Sequence, residues 1–225
     1  MQMKINTVPY QHFSFDLWLT LIKSNPQFKS KRDQLFRDFF SIEHSIKKVS
    51  ETIRSYDKVC NKINDKMGIH IETNQIYYLI LNELGKDISD IETKKLEEFY
   101  LESEILFMNY KPLLIYPNID TLFSDLISQG KTISVLSNTA FIKGNTLGKI
   151  LSYYNLEDFF SFQLYSDELG CAKPNPIAFN QLVEHAFSIN RNIRSKLDIV
   201  HVGDNELADY KGAMSAGIQS ILIKN

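Results

Sequence analysis

Apolar positions along the chain follow two rhythms. From about Lys31 to Lys111 they recur at helical spacing among many charges. Leu35, Phe36, Phe39 and Phe40 share one face, and Ile76, Leu79, Ile80 and Leu84 share another. No proline interrupts this block between Pro26 and Pro112, and Gly68 and Gly85 stand where helices can end. The block predicts several helices packed as a small bundle of their own. Elsewhere, short apolar runs alternate with amphipathic stretches. Phe13-Ser14-Phe15 reads as a buried strand running into Asp16. Asn118 to Gln129 reads as a helix with Ile119, Leu122, Phe123, Leu126 and Ile127 on one side, stopped by Gly130. Thr132 to Leu136 is a strand running into Ser137-Asn138, and Phe162 to Tyr165 is another. Pro176 to Ala186 is helical. Asp198 to Val202 is a strand ending at Gly203-Asp204, Leu207 to Ala216 is a helix stopped by Gly217, and Ser220 to Ile223 is the last strand. Strands alternating with helices predict an α/β fold with a parallel sheet covered on both faces. In such sheets the ligand site lies beyond the carboxyl ends of the strands.

Composition narrows the function classes. The 225 residues, 44% of them hydrophobic, suffice for one α/β domain or a core with an insert. A formal net charge of −2 gives no electrostatic reason to expect nucleic acid or a membrane surface as partner. Tyr and Phe are numerous, but no basic patch accompanies them, so they read as packing rather than base stacking. Cys60 and Cys171 make no disulfide framework, which points to a reducing compartment. The first residues lack the apolar core of a signal peptide, and no apolar run reaches bilayer length. The expectation is a soluble, cytoplasmic protein; nothing in the sequence speaks to oligomeric state.

Polar residues in four segments each follow a strand or a turn on the same edge. Asp16 can serve as nucleophile or metal ligand. Ser137 offers a hydroxyl and nearby backbone N–H groups to an anion. Lys173, in Gly170-Cys171-Ala172-Lys173-Pro174, can hold an ammonium in place. Asp204 and Asp209 flank the start of a helix after Gly203. Singly, each has an ordinary explanation: a helix cap, a turn or a solvated charge. Together, Asp16, Asp204 and Asp209 supply the hard oxygen donors that suit Mg²⁺. A cation, a lysine and a hydroxyl converging on a carboxylate suit an anionic substrate, most simply a phosphate.

The motifs are more specific than the positions. Asp16-Leu17-Trp18-Leu19-Thr20 resembles the first motif of the haloacid dehalogenase-like (HAD) hydrolases, usually D-x-D-x-T. Leu136-Ser137-Asn138-Thr139 is similar to the second motif. Lys173-Pro174-Asn175-Pro176 is similar to the third, and Gly203-Asp204 with Asp209 fits the fourth, G-D-x-x-x-x-D. The resemblance runs from Phe13 to about Ile223. It implies a Rossmann-like core at residues 1–23 and 113–225 and an α-helical cap at residues 24–112. It further implies a Mg²⁺-dependent phosphatase or phosphotransferase for a small phosphorylated metabolite, acting through an aspartyl-phosphate on Asp16. In that scheme the metal is held by Asp16, Asp204 and the backbone carbonyl of Trp18. Asp209 supports the metal site or holds Lys173. Ser137 and Lys173 bind phosphoryl oxygens, with Trp18 and Asn138 on the substrate side, and Thr20 orders the surroundings of the nucleophile.

The chain departs from the pattern at Trp18. The resemblance puts a second aspartate there, the general acid and base of the family's phosphatases, and an indole cannot exchange a proton at useful pH. Losing such a group typically costs about 10²–10⁴ in rate. Leu19 also stands where glycine is usual. Three readings follow: a phosphatase with a substitute acid, a silent phosphate- or protein-binding relative, and a metal-free dehalogenase, whose branch carries an aromatic residue at this position. The intact Asp16, Lys173 and Asp204 favour the first. Trp18 is read equally as a wall of the pocket or as core packing against the cap. His201 reads as structural rather than as a base, and His44, His70 and His185 show no metal spacing. Cys171 has no neighbouring base and reads as filler. Lys29-Ser30-Lys31-Arg32 reads as a solvated helix start.

Overall fold

Helix and strand assignments come from a computed structural model, which describes residues 3–224; the outermost core boundaries expected at 1 and 225 lie outside the described residues. Five parallel strands form the central sheet: β1 (His12–Phe15), β4 (Thr132–Ser137), β5 (Phe162–Tyr165), β6 (Ile199–Gly203) and β7 (Gln219–Leu222), in the spatial order β5-β4-β1-β6-β7. β2 (Ile22–Lys23) and β3 (Leu113–Leu114) form a separate short antiparallel ladder. The chain builds outward from β1 through β4 to β5, then returns to β1's other side for β6 and β7. That reversal leaves a crevice at the carboxyl ends of β1, β4 and β6. Phe15 is in register with both Val135 and Val202, so these three strands deliver the residues that follow them to one edge.

The sheet is buried on both faces, as a parallel sheet should be. On one face Phe13, Phe15, Ile133, Val135, Val200 and Val202 pack on α5 (Ile119–Ser128) and α6 (Gly144–Tyr153). On the other, Leu136 and Ile199 pack against Phe179 and Leu182 of α8 (Pro176–Ile189). Each such fully buried side chain contributes about 1.5–3 kcal/mol relative to exposure. This second face also carries polar residues in matched pairs. His12 reaches Thr132 Oγ1 at 2.8 Å and Ser134 Oγ at 2.9 Å, and Ser14 Oγ meets His201 Nδ1 at 2.9 Å. Pairing is what makes their burial tolerable.

Between β2 and β3 the chain forms α1 (Pro26–Phe39), α2 (Ile46–Met67), α3 (Thr73–Glu83) and α4 (Thr93–Asn109). They enclose their own apolar cluster, centred on Phe36, Phe40, Ile53, Ile76, Ile80 and Phe99. α1 begins a turn earlier than the hydrophobic spacing suggests. Pro26 occupies its first turn, where no N–H is needed, and the Asn25 side chain caps Gln27 N–H at 3.0 Å. Gly68 ends α2 in the left-handed conformation at φ 64°.

Two expectations are corrected, and the structure adds elements that the hydrophobic pattern does not show. Leu79 and Ile127 lie at 44% and 43% exposure, at the margins of the faces assigned to them. α6 was not expected; its two glycines, Gly144 and Gly148, mask the helical pattern. The β2–β3 ladder is two residues per strand, too short to show alternation. The helix expected from Leu207 begins as a π-helical turn, Glu206–Lys211, and becomes α9 (Gly212–Ser215) only afterwards. A short α7 (Ser166–Leu169) follows β5 directly. Among the described residues, no helix is long and apolar enough to cross a membrane.

Candidate active site

Asp16 leaves the end of β1 nearly buried, at 6% exposure, with its backbone N–H held by Val202 O at 2.9 Å. Ser137 Oγ, at the end of β4, donates to Asp16 Oδ1 at 3.0 Å. Lys173 Nζ donates to the same oxygen at 2.9 Å. Both bonds converge on Oδ1, and Oδ2 receives no hydrogen bond from a described residue. One carboxylate oxygen is therefore fixed while the other stays open to the cavity.

Lys173 is 1% exposed, among the most buried large side chains of the protein. Its ammonium spends its three protons on Asp16 Oδ1, Asp209 Oδ1 at 2.6 Å and Leu136 O at 2.7 Å. Its backbone is clamped by Asn138, whose Nδ2 donates to Lys173 O at 2.9 Å and whose Oδ1 accepts from Lys173 N at 2.7 Å. Asp209 is equally committed. Its Oδ1 also faces His201 Nε2 at 3.1 Å, and its Oδ2 accepts from Asn205 N at 2.9 Å. The Asp209 carboxyl lies against Gly203, where a Cβ would come within 2.2 Å of it. That close approach is the reason for glycine before Asp204.

Burial and partners set the protonation of this cluster. Burial raises the Asp16 carboxyl to about 6, with the Lys173 ammonium opposing the rise. For Asp209, burial acts upward too, but Lys173 and His201 prevail and hold it well below the usual carboxylate range. Burial would lower the Lys173 ammonium, yet Asp16 and Asp209 raise it, so it stays charged. His201 is pushed down by burial and by Lys173. As a neutral ring it donates from Nε2 to Asp209 and accepts the Ser14 hydroxyl at Nδ1. A hydrogen-bonded chain thus runs beneath the site from Ser14 through His201 and Asp209 to Lys173 and Asp16.

Each of Asp16, Asp204 and Asp209 can present one carboxylate oxygen within 4.8 Å of the other two. Hard oxygen donors at this density fit a small divalent cation such as Mg²⁺. Asp16 Oδ2 and Asp204, half-buried, are the donors most open to it; both oxygens of Asp209 are already engaged, which suits support of the site from behind. Thr20 is fully buried and its hydroxyl lies 3.5 Å from Asp204 Oδ1, so it touches Asp204 rather than the nucleophile.

Above this floor is a cavity of about 320 Å³, whose far wall is the helical insert. Trp18 both lines it and packs on Phe107 of α4, with ring centroids 6.3 Å apart, so it is wall and core at once. Leu19 adopts φ 59°, the left-handed conformation that glycine takes more cheaply. Asn138 lines the cavity too, but its amide is engaged by the Lys173 backbone. The expectation of a solvated helix start at Lys29–Arg32 is corrected at Arg32. Arg32 is 8% exposed, bonds Asp33 Oδ1 at 2.7 Å and lies 4.9 Å over the Phe141 ring, on the cavity wall. Its position was legible, since Phe28, Arg32 and Phe36 fall at four-residue steps on one apolar stripe. Asp65 and Asn205 were not singled out. Asn205 Nδ2 donates to Asp65 Oδ2 at 2.9 Å, joining α2 to the loop after β6. No sequence signal distinguishes Asp65 from the solvated acids around it. Cys171 is buried with its thiol pushed up by burial, as befits filler.

Comparison with known proteins supplies an independent view. The sequence profile of the haloacid dehalogenase-like hydrolases matches residues 10–217. The chain is 32% identical over 95 residues to haloacid dehalogenase-like hydrolase domain-containing protein 3 of Mus musculus, covering 42% of this chain and only about a third (34%) of that relative. It is 24% identical over 205 residues to glyceraldehyde 3-phosphate phosphatase of Methanothermobacter thermautotrophicus, covering 83% of this chain and 84% of the relative. The crystal structure of the magnesium-bound HAD-family protein YfnB of Bacillus subtilis superposes with a TM-score of 0.67 at 18% identity, covering 95% and 88% of the two chains. At that identity the likeness speaks for the fold alone.

Proposed function

Since the chain belongs to the haloacid dehalogenase-like hydrolases, we propose that it is a Mg²⁺-dependent phosphatase that transfers phosphoryl from a small metabolite to Asp16. The observation that carries this reading is the geometry at Asp16: one oxygen pinned by Ser137 and Lys173, the other open to the cavity. A pinned Oδ1 fixes the attack direction of Oδ2, so little rotational freedom is lost on reaching the transition state. Lys173 and Ser137, both bonded to Asp16 Oδ1, would turn toward phosphoryl oxygens as the group arrives on Asp16, and a preformed buried ammonium would stabilise charge that develops there. Asp16, Asp204 and the Trp18 carbonyl would hold the cation, with Asp209 behind them. When bound, Mg²⁺ neutralises phosphoryl charge and lets a second anion approach the Asp16 carboxylate. The phosphatase relative of Methanothermobacter supports the same class of substrate. The helical insert, read as the cap, would cover the cavity on the side of the leaving group and limit bulk water there.

Hydrolysis of p-nitrophenyl phosphate with and without Mg²⁺, with Asp16→Asn as control, tests this reading. Nitrophenolate leaves without a proton, so the assay probes nucleophile and metal apart from the acid missing at Trp18. Turnover that needs both Mg²⁺ and Asp16 supports the proposal. Trp18 favours one further reading, halo-acid hydrolysis, because a halide also leaves unprotonated; that reaction would proceed in chelator.

A further inference from the structure

An in-line displacement at phosphorus places the leaving oxygen on the side away from the attacking atom. With Asp16 on the floor of the cavity, the leaving oxygen faces the helical insert. The face presented there by α2 is polar. Asp57, Asn61, Asn64 and Asp65 fall at i, i+4, i+7 and i+8 and all line the cavity. Among the described residues, Asp57 and Asp65 are the only carboxylates on the cavity wall outside the Asp16, Asp204 and Asp209 group. Asp57 lies two turns earlier in α2 and accepts from Asn61 Nδ2 at 3.2 Å. Asp65 reaches the core itself. Its Oδ2 accepts from Asn205, the residue after Asp204, at 2.9 Å, while its Oδ1 takes no hydrogen bond from a described residue. It is half-buried; burial pushes its carboxyl upward, the Asn205 bond opposes this, and Asp209 adds to the rise.

We infer that Asp65, on the helical insert, is the general acid and base of this chain, standing in for the carboxylate that Trp18 replaces. The inference rests on the aspartyl-phosphate reading above. In the first half-reaction the Asp65 carboxylic acid gives its proton to the leaving oxygen as the bond from that oxygen to phosphorus breaks and the Asp16 oxygen–phosphorus bond forms. In the second, the Asp65 carboxylate takes a proton from the water whose oxygen bonds to phosphorus. The Asp16 oxygen–phosphorus bond breaks, inorganic phosphate leaves, and both side chains return to their starting states. The Asn205 bond holds Oδ2 and so turns Oδ1 to the substrate.

The test compares p-nitrophenyl phosphate with an alkyl ester, glycerol 2-phosphate, in the parent protein and in D65N, D65E and N205A. D65N keeps an oxygen for Asn205 but loses the proton. It is expected to lower kcat for the alkyl ester about 10²- to 10⁴-fold. Release of the first nitrophenolate should fall far less, followed by a slow steady state, so that a burst appears. D65E should recover part of the alkyl activity. N205A keeps the acid and loosens its hold, and should show the D65N pattern in weaker form, with the alkyl ester affected more than release of the first nitrophenolate. If D65N lowers both substrates together, with no burst, Asp65 is a tether between insert and core and the inference is overturned. If D65N changes neither, it is overturned as well. A parent protein that turns over neither ester removes the phosphatase reading and this inference with it, whereas aryl and alkyl turnover indifferent to D65N removes this inference alone.

Discussion

Replacing Lys173 by methionine keeps an unbranched chain of similar reach and removes the one ammonium between two buried carboxylates. In the parent protein that ammonium is 2.9 Å from Asp16 and 2.6 Å from Asp209. With an effective dielectric of about 20, each contact is worth roughly 6 kcal/mol before desolvation. Desolvating the ammonium offsets several kcal/mol of this, so the net loss on removing one partner of a buried pair is about 3–5 kcal/mol. That is a large part of the 5–15 kcal/mol typical of a folded domain, yet measurable by urea unfolding in chelator. The penalty should depend on pH. Asp16 is already raised to about 6. Without the ammonium it rises further, so the native variant binds a proton that the unfolded chain does not. Stability then increases as pH falls from 8 toward 5, by about 1.4 kcal/mol for each unit of additional rise. The penalty should therefore be largest at pH 8 and smaller at pH 5. A loss below about 1 kcal/mol, or one equal at both pH values, would refute the view that Lys173 compensates these carboxylates and leave only a packing role.

Other consequences follow from the same geometry. His12 is lowered to about 3 by burial, so it stays neutral in the fold while the unfolded chain protonates below about 6.5. The stability it confers is complete above that pH and is lost as pH falls toward 3, by about 2 kcal/mol at pH 5; H12Q should flatten this acid limb in urea midpoints, and an unchanged slope would assign the limb elsewhere. Gly203→Ala should drive a Cβ into the Asp209 carboxyl, costing about 1–3 kcal/mol and lowering turnover with it; a fully active, equally stable variant would contradict the close approach. Leu19→Gly should relieve left-handed strain of about 1 kcal/mol, offset in part by the unfolded chain's gain in freedom, so a thermal midpoint lowered by several degrees would count against strain there. Chelation should abolish phosphatase turnover and Mg²⁺ should restore it, whereas activity that persists in chelator would point to the dehalogenase reading.

The fold was legible because its strands are unusually plain. Phe13 to Phe15, Thr132 to Leu136 and Ile199 to Val202 are short runs rich in aromatic and β-branched residues that lead into Asp16, Ser137 and Gly203-Asp204, and a parallel sheet collects those ends at one edge. Asp16, Ser137 and Asp204 stand out on that ground and Lys173 and Asp209 on the motifs around them, and the fold brings these side chains into one cluster. What the sequence hid are interactions that cross between elements. His201 looks like one more sheet residue until Ser14 and Asp209 are seen on either side of its ring. Asn138 lines the cavity, and only the fold shows that the Lys173 backbone takes both ends of its amide. Arg32 is camouflaged by Lys29 and Lys31, although it shares the stripe of Phe28 and Phe36. Asp65 sits in a helix full of charges, and only the meeting of α2 with the loop after β6 sets it apart.

The measurement closest to the central claim is capture of phosphoryl on Asp16 itself. The protein would be mixed with p-nitrophenyl phosphate and Mg²⁺, quenched within the first turnover, reduced with borohydride, digested and read by mass spectrometry. An acyl phosphate on Asp16 predicts homoserine at position 16, formed only with substrate and metal present and absent from Asp16→Asn. Turnover that proceeds at full rate with no such conversion at position 16, or with conversion at another carboxylate, would contradict the account.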